Sequence, residues 1–136
     1  SFSGGGTRNF DPLFTGLSDW GYWFQGELLG EWVLPNSNLQ SHMVRLTLTP
    51  NDVFTLNLFY YKFLLNNLEE SFGPTPMRVS SHQLADEIDV ILDIAATNWW
   101  SMTVDLTLAV PNSGFREATG GNATWINSML YTNFNF

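Results

Sequence analysis

Four carboxylates crowd residues 86–93: Asp86, Glu87, Asp89 and Asp93. If this stretch is extended, Glu87 and Asp89 share a face about 7 Å apart, which overlaps the carboxylate separation of inverting glycosidases; the same oxygens suit Ca²⁺. The plainer reading is a solvated acidic wall, with Arg45 or a cation from another strand opposite it. Nothing else in the chain supports catalysis. His42 and His82 are the only histidines, and neither has a second at ligand spacing, so polar surface roles are expected and no metal site or cofactor is assigned. Ala118-Thr119-Gly120-Gly121 lacks the Lys-Ser/Thr of a phosphate loop and reads as a flexible turn. Asn122-Ala123-Thr124 is a formal glycosylation sequon without further support. With no cysteine there is neither a thiolate ligand nor a disulfide.

The elements that must position these groups are strands, because apolar and polar residues alternate. From Trp99 to Val110 every even position is apolar (Trp100, Met102, Val104, Leu106, Leu108, Val110), while the odd ones include Ser101, Thr103, Asp105 and Thr107. The same pattern sets Val44, Leu46 and Leu48 against Arg45, Thr47 and Thr49. Residues 53–64 set Phe54, Leu56, Leu58 and Tyr60 against Thr55, Asn57, Phe59 and Tyr61. In the C-terminal run Ile126, Leu130, Phe134 and Phe136 share a face that Ser128 and Thr132 interrupt. A first strand is expected over Tyr22 to Leu34, where Gly26 and Gly30 disfavour a helix. Residues 84–96 fit both periods, with strand preferred.

Composition narrows the class. The chain has 136 residues, 5 Lys+Arg against 13 Asp+Glu, and a formal net charge of -8. No basic footprint exists for nucleic acid, and 44% hydrophobic with 15% aromatic residues is too much for a disordered acidic tail. No run reaches the 18 or so apolar residues of a spanning helix, but a membrane barrel leaves little trace in average hydropathy.

Three features favour that barrel over a soluble sandwich. The expected strands run to about 9–12 residues, near the length that crosses a bilayer at a tilt. Aromatic residues (Tyr22, Trp32, Phe54, Tyr60, Trp100, Phe134, Phe136) fall near the ends of the apolar faces, like girdles at the headgroups. Glu27, Glu31, Arg45, Glu87, Asp89, Asp93 and Asp105 all take the polar parity, which makes them lumen-facing selectivity candidates, whereas Lys62 sits at a strand end where it can snorkel. Turns at Pro50-Asn51-Asp52 and Ala96-Thr97-Asn98 are tight, and residues 65–83 and 111–122 are long, the short-and-long habit of outer-membrane barrels. The loop Asn66–His82 either folds into the pore or stands outside it. Six strands cannot close a membrane barrel, since the smallest have eight; together with the lack of a signal peptide, this makes residues 1–136 the expected C-terminal part of a larger all-β, antiparallel up-and-down barrel.

Particular phrases carry a resemblance. Phe10-Asp11-Pro12-Leu13-Phe14, Ser18 to Glu27 (Ser-Asp-Trp-Gly-Tyr-Trp-Phe-Gln-Gly-Glu), Asn36-Ser37-Asn38-Leu39 with Ser41-His42, Ala85-Asp86-Glu87-Ile88-Asp89 and Trp99-Trp100-Ser101 resemble the C-terminal part of the bacterial alginate export family. The resemblance implies a porin-like barrel in the outer membrane of Gram-negative bacteria, passing solute or polysaccharide without a cofactor and without enzyme activity. Leu130, Phe134 and terminal Phe136 are similar to the closing signal read by the barrel assembly machinery, with Tyr131 where a small glycine is often found. Lipid, that machinery and the cargo are thus the implied partners, nucleic acid not. An exporter of anionic polysaccharide would line its conduit with Arg and Lys, whereas this face is acidic apart from Arg45, so alginate is not assigned as cargo. The competing reading is a soluble all-β carbohydrate-binding module with Trp99, Trp100 and Trp125 as a stacking platform; a hydrolase using Glu87 and Asp89 stands third.

Overall fold

The computed structural model describes residues 28–29, 38–68 and 79–135. They form one antiparallel sheet in which every strand pairs with its neighbour in sequence: β1 (Leu39–Leu48), β2 (Phe54–Leu65), β3 (Gln83–Ile94), β4 (Trp100–Pro111) and β5 (Trp125–Phe134). A short helix, α1 (Ser113–Thr119), interrupts the passage from β4 to β5. The chain is therefore an all-β meander, with five strands described where six were expected. Of the expected first strand, Tyr22 to Leu34, only Leu28 and Leu29 are described, and neither is in a strand.

Residues 84–96 satisfy both periods in sequence; pairing decides between them. β3 is bonded along its length to β2 on one side and β4 on the other, and Ile88, Val90, Ile91 and Ile94 are β-branched residues that suit such a central strand. A register shift between Phe63 and Leu64 opposes Leu64 to Gln83, leaving Leu84 as the extra residue, so that Leu84 and Ala85 are both buried in succession.

The two short connections lie at one end of the sheet and are built by side chains that accept backbone hydrogen bonds. Asn51 Oδ1 accepts from the N–H of Val53 and of Phe54, both at 3.0 Å. Thr97 Oγ1 accepts from Trp100 N–H at 3.0 Å. These are the Asx and ST turns that Asn and Thr favour. At the other end, Asn38 adopts φ 58, a conformation Asn tolerates, and its amide both accepts from Asn67 N–H and donates to Asn67 O at 2.8 Å.

Residues 111–122, read from sequence as an irregular loop, contain α1. The helix follows Asn112 and stops at Gly120, whose φ of 71 allows its N–H to reach Arg116 O at 2.8 Å. The glycine pair expected to be a flexible turn is thus a helix stop. Gly114 is required by close approach, because a Cβ there would lie 2.6 Å from Ser81 O and 2.8 Å from Gln83 O.

The register sorts the side chains into two unlike faces. One carries rows such as Val44–Tyr60–Ile88–Leu108–Ile126, Leu46–Leu58–Val90–Leu106–Ser128 and Leu48–Leu56–Leu92–Val104–Leu130. This apolar face is open: Leu106 is 49% and Ile126 71% exposed. The other carries Arg45, Glu87, Asp89, Asp93 and Asp105, yet across β2, β3 and β4 it is the more buried one. Leu29, Val79, Phe115 and Ala118 from the connecting segments pack with Phe59, Tyr61, Phe63, Ala85, Ile91 and Ala109 into a single cluster on it. Each fully buried Leu or Phe there contributes about 1.5–3 kcal/mol. A soluble sheet hides its apolar face and wets its polar one; this sheet does the reverse.

Candidate functional site

The polar face is the candidate site, and the register gives each charged residue a height. Starting from the end of the long connections, successive rows read Met43–Tyr61–Glu87–Ala109–Trp125, then Arg45–Phe59–Asp89–Thr107–Asn127, then Thr47–Asn57–Ile91–Asp105–Met129, then Thr55–Asp93–Thr103–Tyr131. Arg45, Glu87, Asp89, Asp93 and Asp105 therefore share one face, at four levels about 6.6 Å apart along the strands. They form a staircase rather than a ring at one height. Glu27 and Glu31 lie outside the described residues, as does Phe136.

Arg45, Glu87, Asp93 and Asp105 of the staircase are held by neighbours. Arg45 lies along the wall, donating from Nη2 to Asn57 Oδ1 at 2.8 Å and from Nε to Thr47 Oγ1 at 3.1 Å, its guanidinium 5.2 Å from the Phe59 ring centre. Thr47 completes the triangle by donating to Asn57 Oδ1 at 2.8 Å. Thr103 Oγ1 donates to Asp93 Oδ1 at 2.6 Å. Thr107 Oγ1 contacts Asp105 Oδ1 at 3.3 Å within the strand. Glu87 is engaged from outside the sheet: its Oε1 accepts the Leu28 N–H at 2.9 Å and its Oε2 the Leu29 N–H at 2.7 Å. The solvated wall expected from sequence is in fact covered here, with Glu87 and Asp89 at 0% exposure and Asp105 at 3%.

The cluster of residues 86–93 splits by parity. Asp86 takes the opposite face from Glu87 and Asp89, accepting from Tyr60 Oη and from Asn112 Nδ2, both at 2.7 Å. Among the described residues no three of His, Asp and Glu gather as a metal site. The hydrolase arrangement also fails on geometry, because both Glu87 oxygens are occupied by backbone donors and the group has no exposure to a substrate. His42 Nε2 meets Gln40 Nε2 at 2.9 Å, and His82 Nδ1 meets Leu65 O at 2.7 Å, local polar contacts at strand ends.

The apolar face is bracketed. At the short-turn end Trp100 stacks on Phe134 at 6.3 Å and 6°, Trp99 on Phe134 at 6.2 Å, and the Trp100 indole N–H donates to Thr132 Oγ1 at 2.8 Å. At the other end the row His42–Lys62–Asp86–Val110 brings polar groups onto that face. From Trp100 to Val110 is ten residue steps, about 33 Å along the strand, or about 25 Å in height at a 40° tilt. That equals the apolar band of outer-membrane strands.

Residues 1–127 match the family model described as alginate export. The chain belongs to the alginate export family. This is a transport family rather than an enzyme family. Neither a curated protein nor a solved structure matches the chain. The tryptophan platform of the competing sugar-binding reading is not assembled in this family member: Trp99 and Trp100 lie beside Phe134 at one end of β4–β5, while Trp125 pairs with Ala109 at the other, nine residues away. Trp125 instead meets Phe115 of α1 edge-on, ring centres 5.7 Å apart. The contribution of Leu28, Leu29 and α1 to the polar face escaped the sequence reading, since no local pattern announces a contact across 58 or 59 residues.

Proposed function

We propose that the five strands are part of the wall of an outer-membrane, porin-like β-barrel through which solutes or polysaccharide pass without a cofactor. The observation that carries this reading is the inverted sheet: an open apolar face about 25 Å tall, bracketed by aromatic and charged rows, behind which Arg45, Glu87, Asp89, Asp93 and Asp105 share the opposite face. In hydrocarbon the edges of β1 and β5 need partners, which further strands supply on closure. The short turns then face the periplasm and the long connections the exterior. Leu130 and Phe134, exposed on the apolar face, fit the signal for the assembly machinery.

Selectivity follows from the staircase. Arg45 and Asp93 are the members that reach the surface, while the covered Glu87, Asp89 and Asp105 act on a passing solute only through their field, so this sector by itself carries no net cationic lining and an anionic polysaccharide would draw its counter-charges from other strands. The test is the reversal potential of the full-length parent in a planar bilayer under a salt gradient. Replacing Asp89 and Asp93 by Asn shifts it toward anions; an unchanged value removes these residues from the lumen.

A further inference from the structure

We propose that α1 is a fixed shelf on the polar face, a constriction that sets the size of solute passing at the long-connection end, with Arg116 as its side chain nearest that solute. The proposal rests on the porin reading for the solute and the conduit, whereas the seat of the helix is a matter of contacts. A connection at the rim of a sheet can stand clear of both faces, and this one does not. Phe115 and Ala118, 5% and 7% exposed, pack with Tyr61, Phe63, Ala85 and Ala109, all of which take the polar-face parity. The Phe115 ring meets Trp125, on the same face of β5, edge-on. The helix therefore covers the rows nearest the long connections, on the side of the sheet that carries Arg45, Asp89 and Asp105.

Three fastenings hold it there. At the first helical residue, Ser113 Oγ donates to Ser81 Oγ at 2.8 Å. Gly114 then lets the helix backbone close on the Ser81 and Gln83 carbonyls more tightly than a Cβ would allow. On the last turn, Glu117 accepts from Ser80 Oγ at 2.8 Å and from Ser80 N–H at 2.6 Å. Ser80 and Ser81 end the β2–β3 connection, so two neighbouring connections are bound together as one piece. A mobile surface loop buries little and fastens nowhere; this one buries its aromatic side chain and fastens along its length. A helix with its side chains is about 10–12 Å across, so α1 lying on the wall takes about 10 Å from the bore at that height. Its other side is open: Arg116 is exposed, with its Nε donating to Pro111 O at 3.0 Å.

The experiment is single-channel conductance of the full-length parent in a planar bilayer. Arg116→Cys and His42→Cys are made separately in a cysteine-free background and coupled to a maleimide that carries a polyethylene glycol chain. A mass shift on a gel verifies coupling, and the heat-dependent shift verifies the fold. His42 is the control because it is exposed at the same end of the sheet but on the apolar face, in the row with Lys62 and Asp86. Coupling at Arg116→Cys lowers conductance about twofold or more, since current through a constriction follows its free cross-section, and coupling at His42→Cys leaves it unchanged. Phe115→Ala, which empties the seat without altering a strand, raises conductance and admits larger free polyethylene glycol molecules than the parent does. In a parent that conducts, an adduct at Arg116→Cys without effect, or equal losses from both adducts, keeps the porin and overturns the shelf. An unchanged size limit in folded Phe115→Ala overturns it as well. A folded parent that never conducts removes the porin reading, and the constriction with it.

Discussion

Leu106 lies in the middle of the apolar face, in the row Leu46–Leu58–Val90–Leu106–Ser128, and is half exposed. It is six residue steps from Trp100 and four from Val110, hence about 15 Å and about 10 Å in depth from the two bracketing rows at a 40° tilt. Arginine at such a depth costs about 2–4 kcal/mol, whereas at the interface the cost falls to about 0–1 kcal/mol. Leu106→Arg should therefore destabilise the folded parent by about 2–4 kcal/mol and Val110→Arg, beside Lys62 and Asp86 on the polar boundary, by no more than about 1 kcal/mol. The assay is reversible denaturant unfolding of the full-length protein in lipid vesicles, comparing midpoints at constant slope. On a water-exposed sheet surface Leu106→Arg would instead fall within about 0.5 kcal/mol of the parent. A negligible loss at Leu106, or an equal loss at both positions, refutes the placement of this face in hydrocarbon.

Three further outcomes follow from local geometry. Gly114→Ala places a methyl group against the Ser81 and Gln83 carbonyls and should displace α1 at a cost of about 1–3 kcal/mol, seen as faster proteolysis within residues 112–124 while the strands stay protected; unchanged cleavage contradicts the close approach. The backbone and then the hydroxyl hydrogen bonds from Ser80 hold the Glu117 carboxyl below its ordinary value. Its contribution is thus fully present above the ordinary carboxylate range and is lost as pH falls through the depressed folded value, so hydrogen exchange at Ser80 N–H rises on acidification in the parent and is pH-flat, beyond intrinsic exchange, in Glu117→Gln. Thr132→Val removes the acceptor of the Trp100 indole and should cost about 0.5–1.5 kcal/mol in the same denaturant unfolding, a loss that Ser128→Val does not share.

The strands were legible in sequence because each is set by alternation, which survives without tertiary context: Val44 to Leu48, Phe54 to Tyr60, Trp100 to Val110 and Ile126 to Phe134 all take the predicted faces. The turn residues Asn51 and Thr97 were legible for the same reason, since their bonds close within three residues. Residues 84–96 were ambiguous because Leu84, Ile88, Ile91 and Leu92 also fit a helix, and only pairing on both edges decides. α1 was missed because seven residues with Phe115 and Ala118 as their buried side chains give too short a period to read beside Gly114 and Gly120. The parity of Glu87 and Asp89 was legible and their burial was not; for Glu87 the covering groups, Leu28 and Leu29, arrive from 59 and 58 residues away.

The central claim is that this sheet belongs to a closed barrel in the outer membrane. The most direct test is gel mobility of the full-length parent protein, extracted from the outer-membrane fraction and run in SDS with and without boiling. A closed barrel with all backbone groups paired resists SDS, so a compact band that shifts only on boiling is predicted. Recovery in the soluble fraction, with no shift on boiling, would contradict the account.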